Sequence, residues 1–162
     1  MPVQSKRKSN HLMLAIAGAV ALAAGGIGLA HAGSGTGDFV SVPSHRNFSG
    51  TVAALKSAVS SNHMMVMGQI NQAKVLSMTG LHLAGAESFL VGNPVFGKKA
   101  LSMDPAAGVA LPARMYVWVD HGKTYVGYIK PSVVLGAVNP KFAMMSNKLD
   151  MAFGKIAEQA AK

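Results

Sequence analysis

Cysteine does not occur anywhere in the 162 residues of this chain. That absence excludes disulfides, thiolate metal sites, iron–sulfur clusters and covalent haem attachment through Cys-x-x-Cys-His. Acidic residues are scarce too, six against fifteen Lys and Arg. Hydrolysis by an activated nucleophile needs Ser, His and a carboxylate within reach of one another, and none of the six falls in a recognisable motif. A glycine-rich phosphate loop, a His-Glu-x-x-His zinc motif and a dinucleotide fingerprint are also missing. An enzyme is thus the least supported class, and no catalytic residue is nominated. The lysines are scattered, with no aromatic-basic stripe, which argues against nucleic acid as a partner.

What is present begins with residues 1–32. Lys6, Arg7 and Lys8 precede an uncharged apolar stretch over 12–30, which closes on Ala30-His31-Ala32 and is followed by Gly33-Ser34-Gly35-Thr36-Gly37. A basic segment, an apolar core and a small-x-small site read as an export signal cleaved near Ala32/Gly33. The expected location is the periplasm or the exterior. If the leader were retained, its apolar run would be the only membrane attachment. A cut after Ala30 would instead leave His31 as the amino terminus, able to hold copper through its amine and ring.

Without the leader, twelve basic residues face six acidic ones, a net charge of +6. That balance suits a soluble, mutually repelling surface. The remaining length suits one domain over 39–162, entered through a flexible linker over 33–38. Nine methionines and four histidines (45, 63, 82 and 121) remain, and these are the side chains left that favour soft metals or haem iron.

Hydrophobic periodicity predicts strands over 39–45, 64–70 and 87–92, and a hairpin of 111–120 with 123–129 turning at His121-Gly122. A helix is expected from Ser49 to about Ser61, with Val52, Leu55, Ala58 and Val59 on one face, and a short one after Asn71. Gly92-Asn93-Pro94 reads as a turn. Pro131 opens another short helix. Asn139-Pro140 starts a longer amphipathic one over about 140–160, with Phe142, Met145, Leu149, Phe153, Ile156 and Ala160 at helical spacing. The pattern predicts a C-terminal helix packed on one face of a mostly antiparallel sheet.

Phe89-Leu90-Val91-Gly92-Asn93-Pro94-Val95-Phe96-Gly97 resembles the Gly-Asn-Pro-x-x-Gly signature of the domain of unknown function 302 family. Leu111-Pro112-Ala113-Arg114-Met115-Tyr116-Val117-Trp118 and Tyr125-Val126-Gly127-Tyr128 resemble its Leu-Pro strand and aromatic hairpin. Ile70-Asn71-Gln72-Ala73 stands where members often carry Ile-Asp-His-Ala. The resemblance implies an α+β fold of the TATA-binding-protein-like type with a β-α-β-rich order. It also implies a curved, mostly antiparallel sheet with helices packed on one face, and pairing as a homodimer. Asn71 and Gln72 cannot supply the proton acceptor or strong metal ligand that an Asp-His pair would.

Two sets of candidate residues follow. For a small ligand, Asn93 and its neighbouring amides, Lys98 and Lys99 would meet an anion, and Tyr116, Trp118 and Tyr128 would wall a flat molecule. For copper(I) or non-covalent haem b, His63, Met65, Met67, Met78 and His82 are the densest soft ligands, although methionine also serves as ordinary core filler. The expected function is an exported binding or accessory protein, with a small ligand or a periplasmic protein as partner. The alternative is a methionine-histidine carrier in a respiratory or metal-handling system.

Overall fold

Five antiparallel strands form one open sheet in the computed structural model, which describes residues 37–162. The expected export signal, and the expected linker as far as Thr36, lie outside the described residues. The strands are β1 (Phe39–Ser44), β2 (Met65–Asn71), β3 (Ala86–Gly92), β4 (Ala113–Asp120) and β5 (Lys123–Ile129), in the spatial order β1-β5-β4-β3-β2. The predicted hairpin joins β4 to β5. His121 and Gly122 both take positive φ, 47° and 75°, the geometry a two-residue turn needs to follow the twist of its strands.

Side chains alternate across a strand, so register assigns each residue to a face. Phe89 pairs with Met115, Met115 with Tyr128, and Val117 with Val126. These side chains point to the covered face, where they are buried against Leu55 and Val59 of α1 (Phe48–Ser61) and Leu149, Phe153 and Ile156 of the C-terminal helix. The register of β2 slips at Met67, since Val66 opposes Val91 while Gly68 opposes Leu90. A bulge on an edge strand discourages pairing with further chains.

The helices begin where side chains supply the missing acceptors. Asn47 Oδ1 accepts from Gly50 N at 2.8 Å to cap α1, and Asn71 Oδ1 accepts from Lys74 N at 2.8 Å to cap α2 (Gln72–Ser77). α1 begins one residue before the expected Ser49 and buries Thr51, which hydrogen-bonds Ser44 of β1 at 2.8 Å. The expected turn at Gly92-Asn93-Pro94 is instead the entry to a ten-residue helix, α3 (Pro94–Met103), with Asn93 as cap and Pro94 in its first turn. It leads through a 3-10 turn (Pro105–Val109) into β4.

α4 (Pro131–Val138) follows β5. The helix expected from Asn139 opens as a 3-10 turn (Pro140–Phe142) and becomes α-helical as α5 (Ala143–Ala161). Asn139 ties this bend to the 3-10 turn that precedes β4, donating through Nδ2 to Asp104 Oδ2 at 3.0 Å. That bond, with Ala106 N bonding the same carboxylate, holds Asp104 below its ordinary carboxylate range. Leu149, Phe153, Ile156 and Ala160 make the buried stripe of α5, as their spacing predicts. Among the described residues, no helix is long and apolar enough to cross a membrane.

Candidate functional site

The face of the sheet opposite α1 and α5 carries an aromatic row. Trp118 stacks on Tyr116 at 5.4 Å between centroids and on Tyr125 at 5.3 Å, with Phe39 at 6.4 Å. Period-2 alternation places Tyr116 and Trp118 together, and register brings Tyr125 opposite Trp118. Gly127 makes the arrangement sterically feasible. A Cβ there would lie 2.8 Å from Trp118 Cζ3 and 2.9 Å from the carbonyl oxygen of Val40, so the indole occupies space only a glycine leaves.

Beside this row lies a hollow of about 550 Å³, lined in part by Gln72, Ser88, Leu90, Arg114, Tyr116 and Ile129. Ser88 opposes both Ile70 and Tyr116 across its neighbouring strands and is fully buried. Gln72, the first residue of α2, donates through Nε2 to Ser88 Oγ at 2.7 Å. Its Oε1 is buried and without a hydrogen-bond partner. An unpaired buried acceptor costs about 1–3 kcal/mol, which a donor on a ligand would recover. Burial raises the ionisation of the Tyr116 hydroxyl above its ordinary value, leaving it a neutral donor. Arg114 is exposed at the rim and offers a planar fork of donors.

The candidates from sequence divide across the domain. Tyr116 and Trp118 stand together on the face opposite α1 and α5. Tyr128 points the other way, because three positions separate it from Tyr125 and an odd separation reverses the face, although part of it still lines the hollow with Tyr116. It is buried, edge-on to Phe153 of α5 at 5.5 Å. Burial and the nearby Asp150 and Glu158 carboxylates push ionisation of its hydroxyl above the ordinary value. Asn93 is not free to present its amide. Its Oδ1 accepts from Val95 N at 2.9 Å and Phe96 N at 3.1 Å, while Nδ2 donates to the carbonyl of His63 at 2.9 Å. Lys98 and Lys99 lie exposed on α3, within a helix and not on a loop.

The soft ligands also spread out along the chain. His63, at a positive φ of 55°, is exposed where α1 turns into β2, whereas Met64 is in the core. Met65 opposes Gly92, and the Met67 thioether lies over the same glycine, in a hollow that α3 and α5 also line. Met78 is 80% exposed just past α2, and His82 is exposed in the segment that returns to β3. Sequence reasoning missed Gln72 as a contact, Ser88 and Arg114. Arg114 was within reach of the same alternation that groups Tyr116 with Trp118, since it lies two residues before Tyr116. Ser88 and Gln72 needed the cross-strand register.

Residues 40–160 match the family described as domain of unknown function DUF302. The chain belongs to this family. A crystal structure titled as an uncharacterized conserved DUF302 protein from Bacillus stearothermophilus superposes with a TM-score of 0.72 at 19% identity, covering 77% of this chain and 98% of that one. At that identity the likeness speaks for the DUF302 fold alone. No curated protein matches the chain. Within the DUF302 resemblance, the Asp-His positions fall at Asn71 and Gln72, one capping α2 and the other lining the hollow.

Proposed function

We propose that this DUF302 protein is an exported, non-catalytic binding protein that holds a small, flat, carboxylate-bearing molecule in the hollow on the sheet face opposite α1 and α5. The observation that carries the reading is the Gln72–Ser88 pair in the hollow, with a buried acceptor that the protein leaves unused. The flat part packs on Tyr116 and the apolar side chains of Leu90 and Ile129. Its carboxylate takes the Arg114 fork, and a hydroxyl or amide donor meets Gln72. The leader pattern supports action outside the cytoplasm. Pairing as a homodimer draws support from the same face, where Phe39, Met65, Ile70 and Ile129 remain 41–54% exposed.

Trp118 is the sole tryptophan and sits at this face, so its fluorescence reports occupancy. Titration with benzoate as a minimal flat carboxylate is expected to saturate, and Arg114→Gln to weaken it roughly tenfold, the loss of one charge-assisted contact. A benzoate response indifferent to Arg114 rejects the site.

The second reading, a copper(I) or haem b carrier, rests on Met65 and Met67 sharing one face of an edge strand. Copper(I) uptake lost in Met65→Leu with Met67→Leu would support it. Uptake unchanged by both would end it.

A further inference from the structure

A second pair of hollows adjoins α3, the smaller one reaching the end of the sheet at Met67, Gly92 and Pro112. The inner one, about 190 Å³, is almost wholly apolar, with Met64, Val91, Phe96, Leu101, Leu111 and Phe153 in its wall. The outer one is a groove lined from α3 and α5, with Val95, Met144 and Leu149 beside the ammonium-bearing side chains of Lys99 and Lys148. Met64, Asn93, Phe96 and Leu149 line both, so the two meet along a common wall. No acidic residue lines either one.

Gly97 adds an independent observation. It lies inside α3, where glycine costs a helix about 1 kcal/mol relative to alanine. Neither a positive φ nor a close neighbour requires it, because a Cβ there would meet nothing within 4 Å. The position is open, and Gly97 is among the residues that line the inner hollow.

We propose that the groove between α3 and α5 binds a soluble, medium-chain fatty carboxylate, its head against Lys99 and Lys148 and its tail in the inner apolar hollow. A dry apolar cavity of about 150 Å³ accepts benzene, so the inner hollow suits a tail of about six to eight carbons. The tail supplies burial of apolar surface and the lysines select an anionic head. The inner hollow shares Pro112 and Ala113 with the open-face hollow, but Gln72, Ser88 and Arg114 line neither part of this site, so Arg114→Gln separates the two readings.

The test is calorimetric titration of the purified protein with octanoate, with octan-1-ol as the uncharged counterpart and phosphatidylglycerol vesicles as the membrane counterpart. Octanoate is expected to saturate one site. Lys99→Gln with Lys148→Gln weakens octanoate roughly tenfold, as two partly exposed charge contacts would, and leaves octanol unchanged. Gly97→Leu fills the hollow, abolishes binding of both and does not lower the melting temperature. Leu101→Trp gives the same result from a different position in the wall, should the first variant fold poorly. Arg114→Gln leaves octanoate binding intact. Absence of saturable octanoate binding overturns the proposal, as does octanoate affinity unmoved by both cavity-filling variants. Vesicle binding that survives Gly97→Leu while octanoate fails to bind overturns it in favour of a membrane-surface role.

Discussion

Asn93 Nδ2 donates to the backbone carbonyl of His63 at 2.9 Å, joining the cap of α3 to the turn that launches β2 thirty residues earlier. The same side chain accepts from two amides at the start of α3. Its role is structural, and truncation is expected to cost about 1–2 kcal/mol through loss of the cap and of the His63 bond. Asn93→Asp retains the acceptor and loses the donor, so it should fall between wild type and Asn93→Ala in chemical denaturation. Asn93→Ala with wild-type stability would show that the junction is held by other contacts.

α4 begins at Pro131 with no side-chain cap from Lys130. Asp150 of α5 takes that place, accepting from Ser132 N at 2.9 Å and from the Ser132 hydroxyl. Asp150→Ala is predicted to lower stability by about 1–2 kcal/mol, as loss of a helix cap does. A thermal melt compares it with Ser132→Ala, which removes the hydroxyl and spares the amide bond. The aspartate variant should be the more damaging of the two.

Gly127→Ala places a methyl group where Trp118 and the Val40 carbonyl already stand. The backbone oxygen cannot move aside cheaply, so the expected destabilisation is about 1–3 kcal/mol. The indole must also shift from between Tyr116 and Tyr125. Near-ultraviolet circular dichroism would record the broken stack, and an unchanged spectrum would contradict the packing described for this face.

The strands and the stripe of α5 were legible because burial imposes a period on the sequence, two for Tyr116 and Trp118, and near 3.6 for Leu149, Phe153 and Ile156. α3 was not. Its one buried residue is Ala100, so no apolar stripe announces it, and Gly97 within it reads as a breaker. Asn93-Pro94 is nevertheless the same cap-and-proline pair that marked Asn139-Pro140. The hollow was harder still, since Gln72, Ser88 and Arg114 come from α2, β3 and β4 and meet only through strand register. Tyr128 shares the hairpin strands with Tyr116 and Trp118, but counting positions along β5 from Tyr125 turns it to the other face, from which it only borders the hollow.

Tyr116 and Tyr128 ionise above the ordinary value of 10.0 in the folded protein, both through burial and Tyr128 also through Asp150 and Glu158. In the unfolded chain these hydroxyls lose their protons first. Above pH 10 the unfolded state therefore binds fewer protons, and stability falls as pH rises toward the folded values. Denaturant midpoints should be insensitive to these two groups below pH 10 and decline above it. Tyr128→Phe should reduce that alkaline decline, measured against its own neutral-pH stability. An equal decline in the variant would remove Tyr128 from the account.

Native mass spectrometry of the protein recovered from its own host, compared with an Arg114→Gln variant recovered in the same way, tests the open-face reading most directly. One spectrum reads the amino terminus, the oligomer and any bound mass. The predicted result is a dimer beginning near Gly33 that carries a small organic acid, which the variant retains poorly or not at all. A bound mass matching copper or haem, or the absence of any organic acid other than a fatty carboxylate that the variant holds equally, would contradict it.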